Sequence, residues 1–241
     1  MKCYFTGLTD TGLVRSVNQD DYYIDDPQGR FFIVADGMGG HAGGQEASRI
    51  AVQTIQSYLE NNWNSDASSL DMLEAAFRLA NQDILDAQLK QPALNDMGTT
   101  GVAVIFRDEN PCCAHVGDSR LYRLRESEIQ QMTEDHTWVS RAIQAGQITP
   151  EQGRNHPMRH VLSQCIGRPD LEEVTVGSFE VQAGDRLLLC SDGLTEELSD
   201  AELADRLTSI EAEEQAAATL VEDAKEKGGR DNITLVIVTI A

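Results

Sequence analysis

The sequence of 241 residues is poor in basic side chains and in proline. It has 19 lysines and arginines against 40 acidic residues, which gives a formal net charge of −21 at pH 7. Because phosphate backbones select Lys and Arg, this charge argues against non-specific binding to nucleic acid or to an anionic membrane. A chain so acidic would need local positive charge, most simply a metal ion, to handle any phosphorylated molecule.

Long apolar runs are also missing. No segment approaches the roughly 20 apolar residues of a membrane-spanning helix, and the first ten residues lack the apolar core of a secretory signal. The five cysteines are odd in number and have no disulfide-framework spacing, so we interpret them as reduced thiols. We therefore expect a cytoplasmic, monomeric protein that binds neither membrane nor nucleic acid.

The order of the predicted elements indicates the fold class. Three short strands precede two amphipathic helices at 44–63 and 69–89. Strands at hairpin spacing follow, then a polar irregular segment at 134–170, two further strands, an acidic helical stretch at 195–227 and a last strand. Because strands and helices do not alternate regularly, this order predicts an α+β fold in which antiparallel sheets carry helices on the outside. No linker divides the chain, so we expect one domain over 1–241.

Aspartates recur where apolar runs end. Asp36 follows RFFIVA, Asp192 follows RLLLCS, Asp118 interrupts AHVGDSR, and Asp231 precedes the last strand. Each alone fits an ordinary turn, because Asp bonds locally and a following Gly tolerates positive φ. Together they indicate carboxylates gathered at one sheet edge, where Mg²⁺ or Mn²⁺ would offset their repulsion. Gly37 has no Cβ, so its own carbonyl could approach such an ion.

The glycine-rich segment that begins at Gly37 could also be interpreted as a nucleotide-binding loop instead of part of a metal site. GMGGHA fits G-x-G-x-x-A, the pattern of a dinucleotide-binding turn. However, the aspartate before the first glycine would repel a pyrophosphate, and the next helix leads into another helix instead of a second parallel strand. A cysteine-phosphatase loop is excluded because no cysteine is followed by arginine six positions later. An aspartyl-phosphate mechanism is excluded because no D-x-D occurs.

Six motifs resemble the metal-dependent protein phosphatases of the 2C type, the PPM family. They are, in order, RSVNQD, VADGMGGHAGG, MGTT, AHVGDSRLYRLR, LLLCSDGLTEEL and GGRDNITLVIV, and they extend over essentially the whole chain. The loop and the compact length are most similar to bacterial members, and among these to cyanobacterial enzymes that act on the phosphoserine form of the signalling protein PII. The resemblance implies an α-β-β-α layered sandwich, with two central antiparallel β-sheets flanked by helices and a flap subdomain at about 134–170.

The resemblance also implies an activity. Members hydrolyse phosphoserine and phosphothreonine in proteins directly with water, and they depend on two Mg²⁺ or Mn²⁺ ions, to which bacterial members often add a third. The expected partner is a phosphoprotein, with phosphorylated PII as a candidate, and Arg168 or His160 of the flap would contact it. The alternative from another functional class is a catalytically weak module of the same fold that only binds phosphoproteins.

Mapped motif by motif, the resemblance assigns the metal ligands. Asp36 would bridge two ions, Asp20 would act through metal-bound waters, and Asp118 with Asp192 would hold the third ion. The complete implied set consists of five carboxylates and one backbone carbonyl: Asp20, Asp36, Gly37, Asp118, Asp192 and Asp231.

Two further positions are assigned to the phosphate and to proton transfer. Arg15 matches the arginine that grips the substrate phosphate. Met38 stands where many eukaryotic members have a histidine proposed as the general acid, so His41, three residues on, is the candidate donor, with a metal-bound water as the alternative. Gln19 departs from the acidic residue of the family pattern, which weakens a water-mediated contact to the metals.

Overall fold

The computed structural model describes residues 2–40, 43–154 and 156–241. Within these ranges the chain forms two sheets and seven α-helices. The strands are β1 Cys3–Asp10, β2 Asp20–Ile24, β3 Phe31–Met38, β4 Gly98–Thr99, β5 Gly101–Ile105, β6 Cys112–Val116, β7 Arg120–Arg125, β8 Glu128–Gln131, β9 Thr175–Ser178, β10 Arg186–Cys190 and β11 Ile233–Ile240. The helices are α1 Gly43–Asn62, α2 Ser69–Lys90, α3 Trp138–Gln144, α4 Pro150–Arg154, α5 Asp192–Thr195, α6 Asp200–Ser209 and α7 Glu213–Lys227.

The two sheets have antiparallel pairings. The first has the strand order β1-β11-β10-β7-β8, and the second has the order β2-β3-β5-β6-β9 with β4 paired to β3. The chain leaves the first sheet after β1 and returns to it at β7, β8, β10 and β11. Residues from both ends of the sequence therefore lie side by side, with Cys3 opposite Ile240 and Asp10 opposite Ile233.

Three apolar layers hold the sheets and helices together. Successive residues of β11 alternate between two of them, because strand side chains point to opposite faces. Val236 and Val238 belong to the cluster between the sheets, whereas Leu235 and Ile237 belong to the cluster under α5, α6 and α7. The third cluster lies between the second sheet and α1 and α2. This arrangement confirms the predicted α+β sandwich with helices on both outer faces.

The predicted acidic helical stretch at 195–227 is wrong in extent, because the structure divides it. Ser199 opens α6 in a capping box, where its N–H donates to the Glu202 carboxylate at 3.0 Å. The backbone leaves the helix at Ile210 before α7 begins. None of the helices in residues 2–40, 43–154 and 156–241 combines the length and apolarity needed to span a membrane.

Candidate active site

The register of β2 and β3 sets two carboxylates directly opposite each other, Asp20 and Asp36. The sequence placed Asp36 at a strand end, but β3 continues through Met38 because its last residues pair with β4. Asp36 N–H donates to Thr100 Oγ1 at 3.0 Å, and its carbonyl accepts from Thr100 N and Thr99 Oγ1, both at 2.8 Å. The two threonines of the MGTT motif therefore bond both the backbone N–H and the backbone carbonyl of Asp36.

Gly37 lies where β3 meets the beginning of α1. Its N–H donates to Gln19 O at 3.0 Å, and Ser48 Oγ of α1 donates to the same carbonyl at 2.6 Å. A Cβ at position 37 would lie 2.0 Å from Gly44 O and 2.5 Å from Gln19 O. Gly37 and Gly44 therefore lack a side chain for a packing reason that the sequence alone did not reveal, which is the close contact of the first turn of α1 with the strand.

Asp118 lies in the turn between β6 and β7. Gly117 adopts φ +100° there, and its N–H donates to His136 Nδ1 at 3.2 Å. Ser119 Oγ lies 2.6 Å from Thr100 Oγ1, which also bonds the backbone of Asp36. One threonine hydroxyl thus links the Asp118 turn to Asp36 near the end of β3.

Asp192 and Asp231 approach from the first sheet. Asp192 begins α5, and Asp231 lies just before β11. A Cβ on Gly193 would lie 2.0 Å from Asn232 O, so these two segments are packed backbone to backbone. Ser191 Oγ, which is fully buried, donates to Asp20 Oδ2 at 2.8 Å and so links the first sheet to the second.

These segments surround an open cavity of about 720 Å³. Asp20 does not line it but lies buried, 9% exposed, against Ser191. His41, the predicted proton donor, falls outside the described residues. The other residues predicted for the site all line the cavity: Arg15, Asp36, Gly37, Asp118, Arg168, Asp192 and Asp231.

Burial, together with neighbouring carboxylates, raises the pKa values of the clustered aspartates. Burial, and then the charge of Asp20 and the other aspartates, raises the pKa of Asp36 well above its ordinary value. Burial raises the pKa of Asp20 to about 7, against the hydrogen bonds that its carboxyl accepts. Burial and neighbouring carboxylates likewise raise the pKa values of Asp118 and Asp192. A nearby cation would therefore stabilise the ionised form of these carboxylates.

The donor set fits a hard divalent cation. All predicted side-chain ligands are carboxylates, which Mg²⁺ and Mn²⁺ prefer. Asp20 Oδ1 is buried and has no hydrogen-bond partner among the described residues. Carboxylates that face each other across a strand pair are destabilising unless something neutralises them. The residues present thus suit a metal centre better than they suit a simple turn.

Arg15 reaches the cavity from the loop between β1 and β2. Its Nη2 donates to Asp231 Oδ2 at 2.6 Å, and the side chains are 52% and 35% exposed. The carboxylate of Asp231 raises the pKa of Arg15. Because an exposed ion pair contributes little stability, the guanidinium can exchange this partner for another anion at small cost.

Several cavity residues were missed from the sequence. His160, weighed there only as a protein contact, has its Nδ1 beside a carboxylate oxygen of Glu196, and ligand atoms of these two residues and Asp192 lie within 4.8 Å of one another. Burial, and then the charge of Asp192, raises the pKa of Glu196 to about 7. Glu196 follows Asp192 by four residues, the spacing of one helical turn, which was the available signal. Arg159 and Arg230 also line the cavity.

Comparison with known proteins identifies relatives along the whole chain. A family model described as Protein phosphatase 2C matches residues 14–223. Protein phosphatase PhpP of Streptococcus pneumoniae is 36% identical over 237 residues, which cover 97% of this chain and 96% of that protein. Serine/threonine protein phosphatase PstP of Mycobacterium tuberculosis is 37% identical over 236 residues, covering 98% of this chain but 45% of PstP. The chain thus spans about half the length of PstP.

A solved structure has the same architecture. The catalytic domain of PstP in complex with two manganese ions superposes with a TM-score of 0.88 at 34% identity, covering 99% of each chain. The fold and the resemblance carried by the six motifs are both confirmed. The chain therefore belongs to the protein phosphatase 2C family.

Proposed function

We propose that this chain is a serine/threonine protein phosphatase that depends on Mg²⁺ or Mn²⁺. The observation that carries the proposal is the convergence of carboxylates on one cavity whose rim holds arginines. Burial, together with neighbouring carboxylates, raises the pKa values of Asp36, Asp118 and Asp192 in the cavity and of the buried Asp20, and such shifts cluster at functional sites. The family to which the chain belongs supports the same activity.

We assign the metal-holding role to the residues of this cluster. Asp36 would be shared by two ions, Asp20 would be reached through water, and Asp118 with Asp192 would hold a third. When bound, the ions would neutralise charge on the phosphoryl group and lower the pKa of water so that hydroxide is available near neutral pH. The full proposed set is Asp20, Asp36, the Gly37 carbonyl, Asp118, Asp192 and Asp231.

The protein's own groups would orient the substrate. The guanidinium of Arg15 would exchange its hydrogen bond to Asp231 for the substrate phosphate, to which its planar group can donate two hydrogen bonds. Arg168, in the segment 134–170, would bind the protein portion of the substrate. His41 remains the candidate that delivers a proton to the departing serine or threonine oxygen.

The proposal extends to the setting in which the enzyme acts. We propose a single catalytic domain over 1–241 that works as a cytoplasmic monomer, with 134–170 as a flap beside the cavity. Five free thiols suit a reducing compartment. Phosphorylated PII, suggested by the resemblance to cyanobacterial enzymes, is the first phosphoprotein to test.

The experiment compares Asp36→Asn with Asp96→Asn, each of which removes one negative charge from a residue lining the cavity. Turnover of an aryl phosphate and of a phosphoserine peptide is measured with and without Mn²⁺, and Mn²⁺ binding is measured by calorimetry. We expect Asp36→Asn to weaken Mn²⁺ binding and to lower kcat about 100-fold or more, while Asp96→Asn stays close to wild type.

Two results would contradict this proposal. Wild-type-like turnover by Asp36→Asn would refute the role of the cluster. Tight binding of the phosphopeptide without any turnover by the wild-type protein would instead identify a binding module of the same fold.

A further inference from the structure

Two side-chain amides of α2 hold the turn that carries Arg168. Asn81 and Gln88 are seven residues apart on α2 and so lie on one face of the helix. Asn81 Oδ1 accepts hydrogen bonds from Gly167 N at 2.7 Å and from Arg168 N at 3.1 Å. The backbone of Arg168 is therefore bonded directly to the helix.

Gln88 binds the same turn through the carbonyl group of Gly167. The Gln88 Nε2 donates to Gly167 O at 2.9 Å and to Met97 O at 2.7 Å, which uses both hydrogens of the amide. One side chain thus joins the turn at 167–168 to the residue just before β4. Between them, the two amides bond both the N–H and the carbonyl of Gly167.

The turn also presses against the helix surface. Gly167 has φ +95°, and a Cβ there would lie 2.6 Å from Ile84 Cγ2 and 3.1 Å from Met97 O. On its other side Ile166 pairs with Thr99 through two backbone hydrogen bonds of 2.8 and 3.0 Å. The turn is consequently wedged between α2 and the strand segment that supports the site.

We propose that Asn81 and Gln88 are positioning residues that fix where Arg168 stands at the rim of the cavity, and that they thereby set how well the enzyme recognises the protein part of its substrate. This inference rests on the proposed phosphatase function. Arg168 is exposed and lines the cavity, whereas neither amide lines it. Loss of the amides should therefore impair large substrates and spare a small aryl phosphate, because we assign Arg168 to the protein part of the substrate.

The chain offers a charge-matched pair of variants. Asn81→Asp retains an oxygen that accepts from both N–H groups, whereas Gln88→Glu puts an oxygen against two carbonyl oxygens. Each adds one negative charge to the same face of α2. We expect Gln88→Glu to lower kcat/KM for a phosphoserine peptide about tenfold and Asn81→Asp to lower it less than about twofold. Both should leave kcat for the aryl phosphate unchanged.

Two additional measurements separate positioning from general damage. Combined with Arg168→Ala, Gln88→Glu should cause no further loss of peptide kcat/KM, because the residue that it positions is gone. In a Cys3→Ser background, labelling of the buried Cys165 thiol, three residues before Arg168, should accelerate in Gln88→Glu. Gln88→Met removes the donor without adding charge and replaces Gln88→Glu if that variant does not fold.

The inference is overturned if both carboxylate variants lose peptide turnover equally, if neither does, or if the Gln88 and Arg168 effects add. It is also overturned if aryl phosphate turnover falls in parallel with peptide turnover. Absence of turnover of both substrates by the wild-type enzyme would be recognised separately, because it removes the proposed phosphatase function itself.

Discussion

His136 is kept neutral by the groups around it. Its Nδ1 accepts the N–H of Gly117, and its ring stacks on His115 with centroids 4.6 Å apart. A ring nitrogen that accepts a backbone hydrogen bond cannot take up a proton without losing that bond. Burial, and then the neighbouring His115 and Arg141, lowers the pKa of His136 to about 4, against the opposing charge of Asp135.

This depressed pKa predicts a loss of stability in acid. The folded-state pKa lies below the unfolded value near 6.5, so the unfolded chain binds more protons between these pH values. The contribution of neutral His136 is complete above about pH 6.5 and declines as the pH falls towards 4, by about 2 kcal/mol at pH 5. His136→Asn keeps an acceptor near Nδ1 but does not titrate.

Urea unfolding of both proteins in metal-free buffer at pH 5 and pH 7 measures this effect. The aspartate cluster is the same in both, so it cancels from the difference between them. We expect the stability advantage of wild type over His136→Asn to shrink on going from pH 7 to pH 5. An advantage that stays constant would show that His136 does not titrate differently in the folded and unfolded states.

At Gly37 the end of β3 contacts the beginning of α1 backbone to backbone, and this makes Gly37 irreplaceable. A Cβ at Gly37 meets the carbonyl oxygens of Gly44 and Gln19, and backbone atoms cannot swing away as a flexible side chain could. Gly37→Ala should therefore lower the free energy of unfolding by about 2 kcal/mol. Gly40 is the matched control from the same loop, because a Cβ there has nothing within 4 Å.

Urea unfolding without metal checks this prediction, since it removes any contribution from ion binding. Mn²⁺ affinity should fall in Gly37→Ala as well, because the strain acts on the residue next to Asp36. Equal stability of Gly37→Ala and Gly40→Ala would contradict the close packing of the helix on the strand.

Elements bounded by abrupt changes in polarity were predictable from the sequence. The last strand was predicted in the right place, because β11 is a mostly apolar run that begins directly after the polar residues of GGRDN. The stretch at 195–227 was predicted as one helical element, because the many acidic residues in it mask the break in apolar periodicity between α6 and α7. The start of α6 depends on Ser199 and Glu202 bonding locally, which competes with helix continuation.

The aspartates of the candidate site were predictable from the sequence, but their contacts and several other cavity residues were not. The motifs supplied the aspartates, yet the direct opposition of Asp20 and Asp36 depends on strand register, which only the assembled sheet fixes. The hydrogen bonds of Asn81 and Gln88 to Gly167 join positions about 80 residues apart in the sequence. Polar side chains that bond distant backbone leave no periodic trace in the sequence, so no pattern could have found them.

The net charge of the whole molecule is negative, whereas the lining of the cavity also carries positively charged groups. Its net charge of −21 repels anions from a distance. Among the described residues, the lining of the cavity itself carries four guanidinium groups, those of Arg15, Arg159, Arg168 and Arg230. A substrate therefore meets repulsion during approach and attraction only within a few ångströms of the site, where solvent screening is weakest.

This separation of charge predicts opposite salt effects on two phosphopeptides. One peptide carries lysines and the other glutamates, both placed several residues away from the phosphoserine so that they sense the long-range field. Raising the salt concentration from about 50 mM to about 500 mM shortens the Debye length from roughly 14 Å to roughly 4 Å. We expect kcat/KM to fall for the lysine peptide and to rise for the glutamate peptide, so that the two values converge.

An uncharged peptide of the same length is the control, and Mn²⁺ is kept saturating throughout. Salt acts on the phosphate contact equally in all three peptides, so its effect there cancels in the ratios. The lysine-to-glutamate ratio of kcat/KM should therefore decrease steadily towards one. A ratio that does not change with salt would mean that the acidic surface exerts no field at the cavity mouth, and that recognition is governed by the arginines of the rim alone.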